Sequence, residues 1–374
     1  MNEFVALDHG IVGVRDLDVA AANYARLLGR APSWRGEHPG WGTANVLFRL
    51  ENSYLELVAP SGDGPFGVSL RARLDASGEG PIGFALRTDD AEALATALRE
   101  RGLDARDPVV GEGRDAATGA VRRWKNVMLP ALATRGILVL GIEHLSSPDA
   151  LPVAPPTAAV AAAISGIDHI VVRTEAPDAA IRFYGEQLGL RLALDKSFEQ
   201  WGARLLFFRV GGVTVEIAAP LPEVAVPAAE DSFWGISWRS PDIAATRARL
   251  VASGFDVSDL RSGRRPGTEV CTVRTPTHGV ATLVIGGERE KGDGPRRGPS
   301  PFSSGGAGEV EGFAEVHAAA LGADFGSGEG AGDGRDDREL RERRQRLRTY
   351  DLGAVDRFAE ASRMQLDDPR RVFA

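Results

Sequence analysis

The chain has 374 residues, of which 43% are hydrophobic, which is enough for two or three domains with ordinary cores. Its formal net charge of -8 argues against the basic face that a nucleic-acid-binding protein needs. Cys271 is the single cysteine, so no intrachain disulfide can form and a reducing compartment is expected. There is no signal-peptide pattern at the start and no apolar run of membrane-spanning length, which predicts a cytoplasmic protein without membrane contact.

The sequence repeats itself when it is shifted by 160 residues. The matches include Asp8-His9 with Asp168-His169, Tyr24 with Tyr184, Trp41-Gly42 with Trp201-Gly202, and Glu56 with Glu216. A second shift, of 152 residues, matches Gly83 with Gly235 and Arg87 with Arg239. A fixed-period match indicates one structural unit built several times, so the chain up to about residue 288 is interpreted as four modules in two pairs.

The first module predicts a strand, a helix and further strands. Alternation over residues 6–14 places Leu7, His9 and Ile11 on one face of a strand. The helix that follows has a possible N-cap at Asp16 to Asp18, an apolar stripe and a final glycine, namely Ala21, Tyr24, Leu27, Leu28 and Gly29. Strands are then expected at 44–50 and 53–58.

The second module repeats this plan, and the order of one strand, one helix and three strands is predicted four times. A strand is expected at 82–88, followed by a helix with Asp90 as N-cap and Gly102 as its end. Domains are predicted at 1–145 and 165–287. Residues 146–164, rich in Pro and Ala, are interpreted as a linker, and 288–374 as a low-complexity, mostly disordered extension; a docking tail for a partner is the alternative.

His9 and Glu56 are the first candidates for a functional site. Glu56 shares a strand face with Tyr54, whereas Leu55 and Leu57 occupy the opposite face. Apolar residues behind and polar residues in front predict a sheet that curves around a polar pocket. Such a pocket suits a divalent metal or a substrate carbonyl group.

These features resemble the vicinal oxygen chelate superfamily, which includes glyoxalase I, extradiol dioxygenases, fosfomycin-resistance enzymes and bleomycin-binding proteins. The resemblance rests on a first strand with Asp8-His9, a helix that ends in Leu28-Gly29, and a fourth strand that carries Glu56. The segments His38-Pro39, 41–45 and 54–57 are similar to its glyoxalase-like branch. The resemblance covers about 70% of the chain and implies an α+β fold of four βαβββ modules paired into two cup-shaped domains.

The resemblance also implies metal ligands. They are His9 and Glu56 in the first domain, and His169 and Glu216, as a weaker site, in the second. In the first cup, the matching positions of the partner module fall on Gly83 and near Leu140. In the second cup, they fall on Gly235 and near Thr282 or Leu283. Since a catalytic site usually has three protein ligands, neither cup shows a full set. In the first domain, a small register change would let Glu143 complete the site.

Five further residues are candidates for substrate binding: Trp41, Asn45, Arg87, Trp201 and Arg239. Core packing for the tryptophans and a surface role for the arginines are the alternatives. Alternatively, His9 and His169 are structural histidines. The partner of Glu56 would then be an arginine such as Arg49 instead of a metal. His38, which precedes a proline, is expected to be exposed in a loop.

The leading hypothesis is a glyoxalase-like protein that acts on a small oxygenated substrate in the first cup as an isomerase or lyase. A divalent metal of unknown identity would polarise the substrate, and Glu56 would act as ligand and base. The alternative is a metal-free binding protein of the bleomycin-resistance type; an extradiol dioxygenase is disfavoured because two histidines and a carboxylate facing one iron are missing. No glycine-rich phosphate loop supports a nucleotide cofactor. Whether the cups close within one chain or by module exchange in a homodimer stays open.

Overall fold

The computed structural model describes residues 3–199, 202–221, 230–263 and 265–287. It contains two mixed β-sheets, one for each sequence repeat, and each sheet is covered by helices on one face. The predicted α+β class with two tandem domains is confirmed. The expected extension at 288–374 lies outside the described residues. Within the described ranges, no helix is both long and apolar enough to cross a bilayer.

The first sheet has eight strands in the order β2-β3-β4-β1-β5-β8-β7-β6. Its strands are β1 Ala6–Gly13, β2 Trp34–His38, β3 Thr43–Arg49, β4 Tyr54–Pro60, β5 Gly80–Arg87, β6 Val109–Arg114, β7 Val121–Met128 and β8 Leu138–His144. Its helices are α1 Leu17–Leu28, α2 Pro65–Ser77 and α3 Ala91–Glu100. The edge strands β2 and β6 contact each other, so the sheet is almost closed. We call its hollow face the first cup.

Local sequence signals account for two of these helices. The carboxylate of Asp16 accepts hydrogen bonds from the first turn of α1, and Asp90 does the same for α3. Helix α1 ends at Gly29, whose φ of 66° is the left-handed conformation that glycine favours. Helix α2 was not expected from the sequence. It packs Leu70 and Leu74 into the first cup and closes one end of it.

The second sheet has nine strands, with β10-β11-β12-β9-β13-β17-β16-β14 as its main order and β15 paired to β16. The strands are β9 Gly166–Arg173, β10 Arg191–Phe198, β11 Ala203–Val210, β12 Val213–Pro220, β13 Ser232–Arg239, β14 Asp256–Val257, β15 Arg261–Ser262, β16 Thr268–Thr275 and β17 Ala281–Gly287. Helix α4 runs over Pro177–Ala180 and continues as a π-helix over Ile181–Gln187, and α5 covers Ile243–Ala252. Its hollow face is the second cup.

A β-bulge in β1 decides which side chains enter the first cup. The pairing of β1 with β5 shifts between Leu7 and His9, so Asp8 is an extra residue in the strand. Leu7 therefore packs in the helix-covered core, whereas Ile11 faces the cup. The expectation that Leu7 shares a face with His9 is wrong, because strict alternation does not allow for the bulge.

The two domains pack back to back. Phe84 of β5 meets Phe233 of β13 edge-on, with 5.9 Å between ring centres, and Ile236 lies against the backbone of Gly10. One continuous core contains residues of both helix-covered faces. The cups therefore lie on the faces that the two sheets turn away from each other. In the segment 146–164, Leu151 packs against Trp34 at the first cup.

Candidate functional site: the floor of the first cup

His9 and Glu56 come together on the floor of the first cup. Strands β1 and β4 are parallel neighbours, and their register places Glu56 beside Ile11, on the same face as His9. The Nε2 atom of His9 lies 3.4 Å from Oε2 of Glu56. The side-chain amide of Asn45 donates a 2.8 Å hydrogen bond to the other carboxylate oxygen, and the ring of Tyr54 stacks on His9 with 4.3 Å between ring centres.

Asp8 links two histidines behind this pair. Its carboxylate lies 2.7 Å from Nδ1 of His9 through one oxygen and 2.8 Å from Nε2 of His144 through the other. The bulge explains this geometry, because it places two successive side chains near the same face. Asp8 and His144 were not among the candidates from the sequence. The repeated Asp-His pair was visible, but only its histidine was interpreted as functional.

The charges of the cluster stabilise one another. Burial alone would lower the pKa of His9, but its hydrogen bonds and charge interactions with Asp8 and Glu56 raise that pKa to about 9. Burial alone would raise the pKa values of both carboxyl groups. For Asp8 the contacts with His144 and His9 outweigh this effect, and for Glu56 those with His9 and Asn45 do. The pKa of Glu56 is therefore lowered, and that of Asp8 is lowered strongly. At neutral pH the site therefore holds an imidazolium between two carboxylates.

The cluster can be reached from the solvent at Glu56 and His144. Their side chains are 17% and 28% exposed, whereas those of His9 and Asp8 are nearly inaccessible. A ligand in the cup would therefore meet the carboxylate of Glu56 first, with the Nε2 atom of His9 beside it.

His38 also lies near this cluster, contrary to the expectation of an exposed loop. It is the last residue of β2, is half-buried, and has its Nδ1 atom 3.4 Å from the hydroxyl of Thr43. Burial lowers the pKa of His38, and the negative charge of Glu56 opposes that effect. The proline that follows ends the strand instead of forming an extended loop.

The structure removes Glu143 from the candidate metal ligands. Its carboxylate accepts a 2.9 Å hydrogen bond from the backbone N–H of Ala91, at the start of α3, and lies 3.5 Å from Nζ of Lys125. Glu143 shares its strand face with Gly141, which packs against α3 at Leu94. That face is the helix-covered one, so Glu143 and the pair of His9 and Glu56 lie on opposite sides of the sheet.

The remaining residues of the first cup do not fit a divalent metal. The internal symmetry of the sheet places Gly83 at the counterpart of His9 and Leu140 at the counterpart of Glu56. A side chain at Gly83 would collide with the carbonyl oxygen of Leu138, and Leu140 is buried among apolar residues. Among the described residues, no three His, Cys, Asp or Glu side chains are grouped as metal ligands. A catalytic site usually offers three.

The second cup holds the same pair in a different setting. His169 Nε2 is 3.8 Å from Glu216, and the hydroxyl of Ser237 lies 2.7 Å from the same nitrogen. Asp168 is 3.0 Å from Nδ1 of His169, but its second oxygen pairs with Arg239 instead of a histidine. Arg239, expected to bind substrate, is thus bound to Asp168.

Side chains fill the second cup. The side chain of Glu216 is fully buried, and an apolar cluster lies on the same face. The cluster contains Val171, Phe198, Ala203, Leu205, Phe207 and Ala218. The counterpart positions of the metal ligands are Gly235 and Leu283, so this cup does not fit a metal either. The second domain is a packed structural copy of the first.

The other predicted substrate residues are dispersed. Asn45 lies in the first cup and orients Glu56. Trp41 lies in the turn between β2 and β3, where its carbonyl oxygen accepts a hydrogen bond from Gly67 of α2. Arg87 is exposed at the end of β5. Trp201 lies outside the described residues.

Aromatic side chains line the first cup, and among them only Tyr54 was singled out in the sequence. Trp34 and Tyr54 belong to one buried cluster, and Trp124 packs against the apolar cluster of the cup from β7. Gly111, which pairs with Trp124, leaves room for its indole, since an added Cβ would lie 2.5 Å from Nε1. The glycine that faces Trp124 is a signal that was present in the sequence.

Two family models match the chain in tandem. A glyoxalase-like domain model matches residues 7–165, and a model of the glyoxalase/bleomycin resistance protein/dioxygenase superfamily matches residues 168–272. Together they cover the first sheet almost completely and the second sheet from β9 into β16, but not β17. A comparison of the sequence with curated proteins gives no match.

Solved structures resemble the fold at low sequence identity. A mutant of 4-hydroxymandelate synthase from Streptomyces coelicolor is 15% identical with a TM-score of 0.60, covering 86% of this chain and all of that one. The Mn(II)-bound glyoxalase from Novosphingobium aromaticivorans is 17% identical with a TM-score of 0.52, covering 76% of this chain and 83% of that one. A hypothetical protein from Staphylococcus aureus is 12% identical with a TM-score of 0.51, covering 75% and 98%. At these identities the likeness shows the fold alone.

Proposed function

Since the chain belongs to the glyoxalase-like branch of the vicinal oxygen chelate superfamily, we propose that its first cup transfers a proton on a small oxygenated substrate. The reaction is of the isomerase or lyase type, and the residues of this chain carry it without a divalent metal. The observation that supports this most is the contact between His9 and Glu56, with Asp8 behind His9 and Asn45 holding Glu56.

Glu56 is the base in this reaction. Its lowered pKa keeps the carboxylate ionised at neutral pH, and it is the most accessible member of the contact with His9. It removes a proton from the carbon next to the substrate's carbonyl group. The electrons of that C–H bond form a carbon–carbon double bond, and the carbonyl oxygen takes up the negative charge.

His9 stabilises that oxygen. With a pKa of about 9 it is protonated at neutral pH, so Nε2 carries an N–H. At 3.4 Å this group is only loosely engaged with Glu56, and it can donate to a substrate oxygen instead. Asp8 holds the other side of the ring. The proton then returns from Glu56 to a different position or face of the substrate, which isomerises it.

Exchange of carbon-bound protons with deuterium oxide tests this proposal. Phenylacetone is a suitable probe, because it is small, carries a carbonyl group and offers an aromatic ring to an aromatic-lined cup. Proton NMR should show deuterium entering its benzylic position faster with the protein than without it. Glu56→Gln should lower the rate at least 100-fold, in line with the contribution of about 10²–10⁴-fold that a general base makes.

Glu37→Gln is the matched control. Glu37 lies on β2, next to His38, but its side chain is on the exposed face. Exchange at the wild-type rate in Glu37→Gln and its loss in Glu56→Gln would support the proposal. Equal rates in the wild type and in Glu56→Gln would contradict it.

A metal-free binding protein is the second candidate, and the aromatic lining of the cup favours it. Trp34, Tyr54 and Trp124 offer ring surface without adding any reactive group. A protein that only binds would retain phenylacetone reversibly and would show no exchange above the background rate.

A further inference from the structure

Arg122 is a buried cation inside the first cup. It projects from β7 and is only 6% exposed. Three aromatic rings surround its guanidinium carbon, at 5.4 Å for Trp34, 5.7 Å for Tyr54 and 5.9 Å for Trp124. These rings come from β2, β4 and β7, so the guanidinium group lies where the two edges of the nearly closed sheet approach each other.

No carboxylate pairs with Arg122 within the described part of the chain. Its interactions there are the three ring contacts and an electrostatic interaction with Tyr54. Tyr54 is not a counter-anion, because burial raises the pKa of its hydroxyl well above the ordinary value. Several other guanidinium groups of the first domain are instead paired with carboxylates, as Arg15 is with Asp75 and Arg99 with Asp107.

A desolvated guanidinium without a carboxylate is costly unless another group compensates it. Stacking on aromatic faces compensates part of the cost through cation–π attraction. It leaves the edge of the group, with its N–H donors, available. Those donors form the planar fork that matches two oxygen atoms of an anion.

The surroundings favour an anion of single charge. Asp8 and Glu56 both exert their negative charge on Tyr54, and so lie in the region that Arg122 faces. The charges of Arg122 and of the protonated His9 together balance those of Asp8 and Glu56. A dianionic phosphate would therefore add two uncompensated negative charges to the cup, whereas a carboxylate group would add only one.

The arginine and the proton-transfer pair are close enough for one small ligand. Tyr54 contacts both of them, because its ring centre is 4.3 Å from that of His9 and 5.7 Å from the guanidinium carbon. The ring centre of His9 and the guanidinium carbon of Arg122 are therefore at most about 10 Å apart. An anionic group held at Arg122 would thus leave the rest of a small molecule beside His9 and Glu56.

We propose that the ligands of the first cup are small carboxylic acids, whose carboxylate group Arg122 binds between Trp34, Tyr54 and Trp124. This names the substrate class of the site and so rests on the function proposed above for the same cup. Arg122 positions the substrate, and Glu56 and His9 act on a carbon a few bonds away from the bound carboxylate.

Binding of phenylacetate tests this inference without requiring catalysis. Titration by calorimetry, with the fluorescence of Trp34 and Trp124 as a second signal, should show phenylacetate binding at least tenfold more tightly than the neutral phenylacetamide. Arg122→Gln should weaken phenylacetate binding at least tenfold and abolish the preference over the amide. Arg122→Lys, which keeps the charge but not the planar fork, should fall between them.

Arg123→Gln is the matched control, because Arg123 is the next residue of β7 but lies exposed on the opposite face, 3.6 Å from Glu112. It should bind phenylacetate as the wild type does. Glu56→Gln should also keep phenylacetate binding while losing proton exchange, which separates a failure of this inference from a failure of the proposed reaction.

Four outcomes would overturn the inference: no phenylacetate binding by the wild type, equal affinity for acid and amide, tighter binding of phenyl phosphate, or unchanged binding in Arg122→Gln. The comparison of acid with amide uses only the wild-type protein. It therefore decides the matter even if the Arg122 variants fail to fold.

Discussion

The hydroxyl of Ser237 lies 2.7 Å from Nε2 of His169 in the second cup, and this contact is missing from the first. The strand register that pairs His169 with Ser237 pairs His9 with Ala85. One methyl group in place of a hydroxymethyl group therefore leaves Nε2 of His9 directed at Glu56. This difference, more than the shared histidine and glutamate, separates the proposed site from its packed copy.

Ala85→Ser should close the first site in the same way. The introduced hydroxyl would accept a hydrogen bond from Nε2–H of His9, in the position where Ser237 contacts His169, and this N–H would no longer be available to the substrate oxygen. We expect the rate of proton exchange to fall at least tenfold with little change in the folded structure. Ser237→Ala is the converse variant; it should leave exchange unchanged and cost about 1 kcal/mol of stability, the usual value of a hydrogen bond. Unchanged exchange in Ala85→Ser would contradict the role of His9.

Asp8→Asn should uncouple His9 from its support. Without the carboxylate, the pKa of His9 should fall from about 9 toward that of an ordinary histidine, as measured by NMR titration of the imidazole. Breaking a buried ion pair typically costs about 3–5 kcal/mol, so chemical denaturation should show a lower free energy of unfolding. Asp168→Asn, in the second cup, should be destabilising as well but leave proton exchange intact. A His9 pKa that does not change in Asp8→Asn would show that Asp8 does not hold the ring.

The stability of the domain should depend on pH in a definite direction. The pKa of His9 is higher in the folded state, at about 9, than the 6.5 of an ordinary histidine, so folding binds its proton more tightly. This contribution is complete below about pH 6.5 and is lost as the pH rises through 9, with a size of about 3 kcal/mol. Glu56 and Asp8, whose pKa values are lowered, act oppositely and lose their contribution as the pH falls through the acidic range.

Two measurements check this dependence. The free energy of unfolding of the wild type should decline between pH 7 and 10, and His9→Gln should show a smaller decline. Proton exchange should be constant near neutrality and fall as His9 loses its proton near pH 9. A rate that rises steadily through pH 9 would be inconsistent with a protonated His9.

Gly83→Ala tests why the second module of the first cup has no metal-binding side chain at the position that corresponds to His9. The added Cβ would collide with the carbonyl oxygen of Leu138, so we expect a loss of about 1–3 kcal/mol in the free energy of unfolding. At Gly80, at the start of the same strand, an added Cβ would have no neighbour closer than 3.8 Å, and Gly80→Ala should be nearly neutral. Equal stability of both variants would mean that position 83 can accept a side chain.

Much of the fold could be predicted because its signals are local or repeated. The match at 160 residues revealed two copies, and the caps at Asp16 and Asp90 placed the helices. Helix α2 could not be found in the same way. It begins at Gly64 and Pro65 without a side-chain cap and has only a weak apolar stripe, because it covers the end of a cup instead of lying along the main core.

The site was predicted only in part. His9 and Glu56 were found because they recur at equal spacing in both repeats. Asp8 was missed because period-two alternation places it on the wrong face, and only the bulge corrects this. Arg122 was missed because two of its three aromatic partners, Trp34 and Tyr54, lie on strands far away in the sequence. Glu143 was wrongly chosen, because a register change in β8 was expected to turn it toward the cup. The pairing of β8 with β5 shows no such change, and Glu143 contacts the start of α3 instead.

The most direct measurement is deuterium incorporation into phenylacetone by wild-type protein dialysed against a chelator, compared with the same protein after Mn(II) has been restored. Elemental analysis of both samples verifies their metal content. Because His9, Glu56 and their supporting residues are all supplied by the chain, we expect equal rates, abolished in both samples by Glu56→Gln. Exchange that occurs only after Mn(II) has been restored would contradict a metal-independent reaction in the first cup.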